Sequence, residues 1–163
     1  METSNYKLPT IILVDDHIVF RQGLKSLITF NTLGTVIGEA SNGAEFLHLL
    51  SPPIPDLVFM DIDMPHMDGI KATQQALQIV PDLKIIVFSM YGDEEYYQKM
   101  LALGIKGYIL KSTGIEAVEA AISSVMNGES YFSNLLPKKT LQLIESKSIC
   151  CNEEEYQAPC VWW

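Results

Sequence analysis

The chain has 163 residues, 48% hydrophobic and 19% charged, which supplies apolar side chain for one sizeable core and excludes a wholly disordered polypeptide. Eleven Lys and Arg against twenty Asp and Glu leave a net charge of −9, a surface that repels phosphate backbones and argues against nucleic-acid contact by this chain. No apolar run approaches the ~20 residues of a membrane span, the opening Met1-Glu2-Thr3-Ser4-Asn5-Tyr6 lacks the regions of a secretion signal, and Cys150, Cys151 and Cys160 all sit near the C-terminus, so no disulfide framework holds the body and a cytoplasmic setting is expected.

Thr10-Ile11-Ile12-Leu13-Val14 is apolar and largely β-branched, which predicts a strand buried on both faces. After it Phe20, Leu24 and Ile28 recur every four residues, with Val19, Gly23 and Leu27 beside them, as a helical stripe does. Val36-Ile37-Gly38-Glu39-Ala40 reads as a weaker second strand. Phe46, Leu47 and Leu50 mark a short second helix, which Pro52-Pro53 and Pro55 stop. Leu57-Val58-Phe59-Met60 is a third strand, and Ile70, Thr73, Leu77 and Val80 mark a third helix. Lys84-Ile85-Ile86-Val87-Phe88 is the fourth strand, with Tyr97, Met100 and Leu101 on a fourth helix ending near Gly104. Gly107-Tyr108-Ile109-Leu110 is the fifth. Ile115, Val118, Ile122 and Val125 stripe a fifth helix closed by Asn127-Gly128.

Alternation of apolar strands with helices predicts an α/β fold, a five-stranded parallel sheet covered by helices on both faces. With right-handed crossovers it is doubly wound, and the flavodoxin-like order 2-1-3-4-5 leads for a chain of this length, with a ligand crevice at the carboxyl ends of strands one and three. Past residue 130, Leu135, Leu136, Leu141 and Ile144 predict one more amphipathic helix, with Pro137 in its first turn. From Ser146 onward no helix or strand period remains, and Trp162 and Trp163, the only tryptophans, stand at the very end.

Function enters with the acids. Asp15 and Asp16 follow the first strand directly and Asp61 follows the third, so three carboxylates converge on one crevice. Ser89 follows the fourth strand and Lys111 the fifth. Each has a plain alternative: Asp15 a helix cap, Asp61 a turn acid, Asp68-Gly69 a turn, Lys111 a solvated lysine, Tyr108 a packing residue. Their joint placement outweighs these. Packed anions need a compensating cation, hard oxygen ligands suit Mg2+, and a carboxylate can attack phosphorus. Asp61 as nucleophile, Asp15 and Asp16 as metal holders, Lys111 as cation and Ser89 as hydroxyl fill the roles of phosphoryl transfer. His17, His48 and His66 show no ligand spacing and read as surface or packing residues.

These stretches resemble the receiver domain of two-component response regulators: Ile12-Leu13-Val14-Asp15-Asp16-His17, Met60-Asp61-Ile62-Asp63-Met64-Pro65-His66-Met67-Asp68-Gly69, Phe88-Ser89-Met90 and Gly107-Tyr108-Ile109-Leu110-Lys111-Ser112. Gly38-Glu39-Ala40-Ser41-Asn42-Gly43 and Asn127-Gly128-Glu129-Ser130-Tyr131-Phe132-Ser133 are similar to the branch that usually carries a LuxR-type helix-turn-helix output domain. The resemblance implies a CheY-like receiver over residues 8–131, a linker helix over 132–146 and a disordered or truncated tail over 147–163.

It further implies that Asp61 accepts a phosphoryl group from a sensor histidine kinase. Asp16 would hold Mg2+ directly, Asp15 largely through water, Asp61 by a carboxylate oxygen and Asp63 by its backbone carbonyl. Lys111 would pair with the phosphoryl group, Ser89 would swing toward it, and Tyr108 would turn inward behind it. The surface would then change for homodimer formation or output. Such a chain is a switch whose only chemistry is its own phosphorylation and dephosphorylation, not an enzyme, with no membrane partner. The parent would be a DNA-binding transcriptional regulator. A stand-alone receiver is the alternative, since no helix-turn-helix pattern follows residue 133. Ser112 stands where many receivers have a proline after a cis bond, which leaves the Lys111–Ser112 isomer open. A phosphatase of the haloacid dehalogenase type also uses Asp-x-Asp, as in Asp61-Ile62-Asp63, but there the pair follows the first strand rather than the third.

Overall fold

The computed structural model describes residues 7–90 and 92–133. Its strands are β1 (Thr10–Val14), β2 (Thr35–Ala40), β3 (Leu57–Met60), β4 (Lys84–Ser89), β5 (Gly107–Leu110) and β6 (Tyr131–Phe132). The helices between them are α1 (Ile18–Phe30), α2 (Gly43–Leu49), α3 (Gly69–Ile79), α4 (Glu94–Leu103) and α5 (Ile115–Met126). The sheet runs β2-β1-β3-β4-β5-β6 with every pairing parallel. The chain reverses its direction of winding between β1 and β3, where two loops part and a crevice opens.

Strands that are apolar at every position need cover on both sides, because successive side chains point to opposite faces. Ile12, Val14, Val58, Met60, Ile85 and Val87 form one core with Phe46 of α2, Ala72 and Ala76 of α3, and Tyr97 and Met100 of α4. Ile11, Leu13, Leu57, Phe59, Ile86 and Phe88 form the other with Leu24 and Ile28 of α1 and Val118 and Ile122 of α5. The two sets alternate along each strand. β2, an edge strand, keeps Ile37 exposed, which accounts for its weak pattern in the sequence. No helix among the described residues is long and apolar enough to cross a membrane.

β6 extends the expected five-stranded sheet by one short strand. Tyr131 N–H donates to the Lys106 carbonyl at 2.9 Å and Ser133 N–H to the Tyr108 carbonyl at 3.0 Å. Phe132, placed by sequence in the linker helix, is therefore sheet, and two residues are too few to carry a strand period. The rest of that linker and the tail lie outside the described residues. Among the described residues the cis peptide bond is Pro52–Pro53, so Lys111–Ser112 is trans.

Asp68, read from sequence as part of a turn, caps α3 by accepting from the Lys71 N–H at 2.9 Å. Farther along α3, Thr73 is fully buried and its hydroxyl finds no hydrogen-bond partner among the described residues. A hydroxyl desolvated without a partner costs about 1–3 kcal/mol. Thr73→Val, nearly the same shape, is expected to raise stability by about 1 kcal/mol, read as a higher urea midpoint at unchanged slope. A lower midpoint would mean that the hydroxyl is paired in solution.

Candidate functional site

Parallel pairing of β1 with β3 brings their C-terminal ends level, with Val14 opposite Met60. The residues that follow are thereby neighbours, and the Asp61 N–H donates to the Val14 carbonyl at 2.9 Å. β5 delivers Lys111 from the other side, its side chain only 2% exposed. The Lys111 ammonium lies 2.6 Å from Oδ2 of Asp15 and 3.3 Å from Oδ2 of Asp61, with its charge 4.5 Å above the Phe20 ring. The sequence-predicted acids and lysine thus form one cluster, and Asp15 is no helix cap: His17 occupies that position in α1.

The charge does not balance. Asp15, Asp16, His17 and Asp61 each offer a ligand atom within 4.8 Å of one another. Asp61 is almost fully buried, and that burial pushes its carboxyl up to about 7; the Asp15 charge adds to the rise and Lys111 opposes it. Asp16 Oδ1 is buried with no hydrogen-bond partner among the described residues. A hard divalent cation fits this set, since it needs oxygen ligands, supplies the missing charge and occupies the orphaned oxygen. The Asp63 side chain is exposed and is not one of the gathered carboxylates.

Ser89 ends β4 and is buried. Burial pushes the Tyr108 phenol up, and its hydrogen bond with Ser89 pulls it part of the way back. Tyr108 is fully buried, edge-on to Tyr97 with ring centroids 5.1 Å apart, and Tyr97 meets Phe132 at 6.0 Å. The inward position expected of Tyr108 after phosphorylation is thus already taken in this structure. The reason is the strand alternation that turns it toward Val87 and Leu110 in the core under α4.

Two contributors escaped the sequence reading. Arg21, the only arginine in the chain, donates through Nη1 to the Asp15 carbonyl and through Nε to Glu39 at 3.1 Å. It ties the ends of β1 and β2 beneath the acids. Its signal was that uniqueness, on a helix turn next to Asp15-Asp16. Gly69, read as a turn residue, opens α3 directly against the loop of Asp61, and its N–H donates to the Ile62 carbonyl at 2.9 Å. A Cβ there would overlap the Asp61 carbonyl oxygen and stand 3.0 Å from the Ile62 Cα. Backbone cannot yield as a side-chain tip can. Gly69→Ala is therefore expected to lower stability by about 2 kcal/mol or more, measured by urea unfolding. A Gly69→Ala protein as stable as the parent would show that the loop has room to move.

A family model described as the response regulator receiver domain matches residues 11–123. The chain is 33% identical over 148 residues to the transcriptional regulatory protein DegU of Brevibacillus brevis, covering 91% of this chain and 61% of that protein. It is 36% identical over 133 residues to the nitrate/nitrite response regulator protein NarL of Escherichia coli strain K12, covering 82% of this chain and 62% of that protein. The chain thus spans about three-fifths of the length of these relatives. Among solved structures, a LuxR-family two-component response regulator from Aurantimonas sp. SI85-9A1 superposes with a TM-score of 0.74 at 28% identity, covering 88% of this chain and 99% of that one.

Proposed function

Because the chain belongs to the response regulator receiver family, of the kind found in DegU and NarL, we propose that Asp61 is its phosphoacceptor and that the acidic cluster holds Mg2+. The observation that carries the reading is Lys111, buried and shared between Asp15 and Asp61. An ammonium in that place favours the ionised Asp61 needed for attack and remains beside it to receive a new anion. A carboxylate oxygen of Asp61 bonds to phosphorus, the bond from phosphorus to the histidine nitrogen of a sensor kinase breaks, and the imidazole leaves with the electron pair. Asp16, Asp61 and the Asp63 carbonyl, with Asp15 behind them, would hold the Mg2+, which when bound would supply positive charge to offset the phosphoryl oxygens. Ser89 donates its hydroxyl to one of those oxygens, which alters the hydrogen bond it makes with Tyr108.

Tyr108 lies under α4 and beside β6, so a change there reaches the surface built by α4, β5 and α5. That surface is proposed to pair two copies or to engage an output. The setting proposed is the cytoplasm, the donor a sensor histidine kinase, and the parent a DNA-binding transcriptional regulator. Incubation with acetyl phosphate and Mg2+ is expected to add the mass of one phosphoryl group, removable by hydroxylamine as an acyl phosphate is. No gain, or a gain stable to hydroxylamine, overturns the assignment. Sustained hydrolysis of a generic phosphomonoester would favour a phosphatase instead.

A further inference from the structure

The acidic cluster also contains a nitrogen. His17 Nδ1 lies 3.2 Å from Oδ1 of Asp15 and 3.2 Å from Oδ1 of Asp16. Two atoms bound at about 2.1 Å to adjacent positions of an octahedral ion stand about 3 Å apart, so the separation from Asp16 Oδ1 suits neighbouring ligands of one ion, with Asp15 behind them. Asp16 Oδ1 is buried yet takes no hydrogen bond from the described residues, even with this imidazole beside it. Among the described residues the ring's polar contacts are with these acids alone: His17 is the N-cap residue of α1, its Nδ1 sits at hydrogen-bond distance from Asp15 Oδ1, its side chain makes no capping bond to the helix, and it is 62% exposed. Its backbone N–H donates to Asp15 Oδ1 at 2.9 Å, which keeps the ring at the mouth of the cluster on the solvent side, while Lys111 closes the inner side.

We propose that His17 is a nitrogen ligand that makes this pocket favour first-row transition ions such as Ni2+ over Mg2+. The inference rests on the reading of the pocket as a divalent-cation site. Mg2+ takes oxygen ligands and gains little from an imidazole, whereas Ni2+ binds one well. Asp15 and Asp16 alone make a site for hard ions. His17 adds the donor that separates the two classes.

The test titrates Mg2+, and Ni2+ counted as the fraction that excess Mg2+ displaces, into the full chain and into His17→Ala by calorimetry. Counting only displaceable Ni2+ removes binding by the three cysteines. The expected result is a loss of Ni2+ affinity in His17→Ala of at least about tenfold, the low end of what losing even an outer partner of a metal ligand costs, with Mg2+ affinity unchanged within about twofold. Equal affinities in the two proteins overturn the proposal. Tighter binding of both ions by His17→Ala also overturns it, because His17 would then be a competing positive charge. If the parent chain binds neither ion, the divalent-cation reading itself fails, a result distinct from failure of the histidine alone.

Discussion

Asp61→Ala is expected to take up no phosphoryl group from acetyl phosphate and Mg2+ under conditions that label the parent chain, while Asp63→Asn is labelled as the parent is. Three carboxylates lie in the cluster, and only one is placed to react. Asp15 is engaged at both oxygens, Oδ2 by Lys111 at 2.6 Å and Oδ1 by the His17 N–H at 2.9 Å. Asp16 is 29% exposed and stands beside the histidine. Asp61 keeps Oδ1 on the Ile62 N–H at 2.8 Å and holds Oδ2 3.3 Å from Lys111, a looser contact that leaves the oxygen available. The ammonium is then poised over the place where new charge develops. The Asp63 arm separates the receiver from a phosphatase with an Asp-x-Asp pair, where the second acid must protonate a leaving group. Intact Asp63→Asn labelling is expected because its carboxylate is exposed and outside the cluster. Labelled Asp61→Ala protein, with the mass on Asp15 or Asp16, would mean that the nucleophile has been misplaced.

Much of this arrangement is legible in the sequence because it depends on strand ends. Residues 11–14 and Leu57–Met60 are apolar at every position, which only a strand covered on both faces tolerates, and the polar residue that breaks each run is then delivered to the sheet's carboxyl edge. Asp15, Asp61, Ser89 and Lys111 are all found by that rule. What the rule cannot find are contributions made through backbone. Gly69 matters for the atom it lacks against the Asp61 carbonyl, and an Asp-Gly pair is far more often a turn. Arg21 serves through the Asp15 carbonyl, on a polar face of α1 where a solvated side chain is the ordinary reading. β6 consists of two residues whose pairing depends on β5 rather than on their own pattern. His17 shows no sequence spacing to another ligand because its partners are its two preceding neighbours, brought onto one ion-sized volume by the turn into α1.

The metal-free chain should lose stability as pH rises from about 4 to about 7, and Asp61 should account for most of the loss. Its carboxyl is raised from 3.8 to about 7, first by burial and then by the Asp15 charge. An acid raised in the folded state binds its proton more tightly there than in the unfolded chain. The stability linked to that proton is complete below the unfolded value and disappears as pH climbs through the folded one. A tenfold difference in proton affinity between the folded and unfolded chain corresponds to about 1.4 kcal/mol, and with relaxation of the site we expect about 2–4 kcal/mol between pH 4 and pH 8 in chelator. Asp61→Asn retains the shape without the charge, so its stability should be flatter across that range and should exceed the parent's at pH 8. Mg2+ should recover the parent's loss at pH 8, add little at pH 4, and leave Asp61→Asn largely unmoved. Urea midpoints at the two pH values, with chelator and with Mg2+, measure all of this. An equal fall in Asp61→Asn would assign the slope to other groups. A parent chain no less stable at pH 8 than at pH 4 would mean that Lys111 neutralises the cluster unaided.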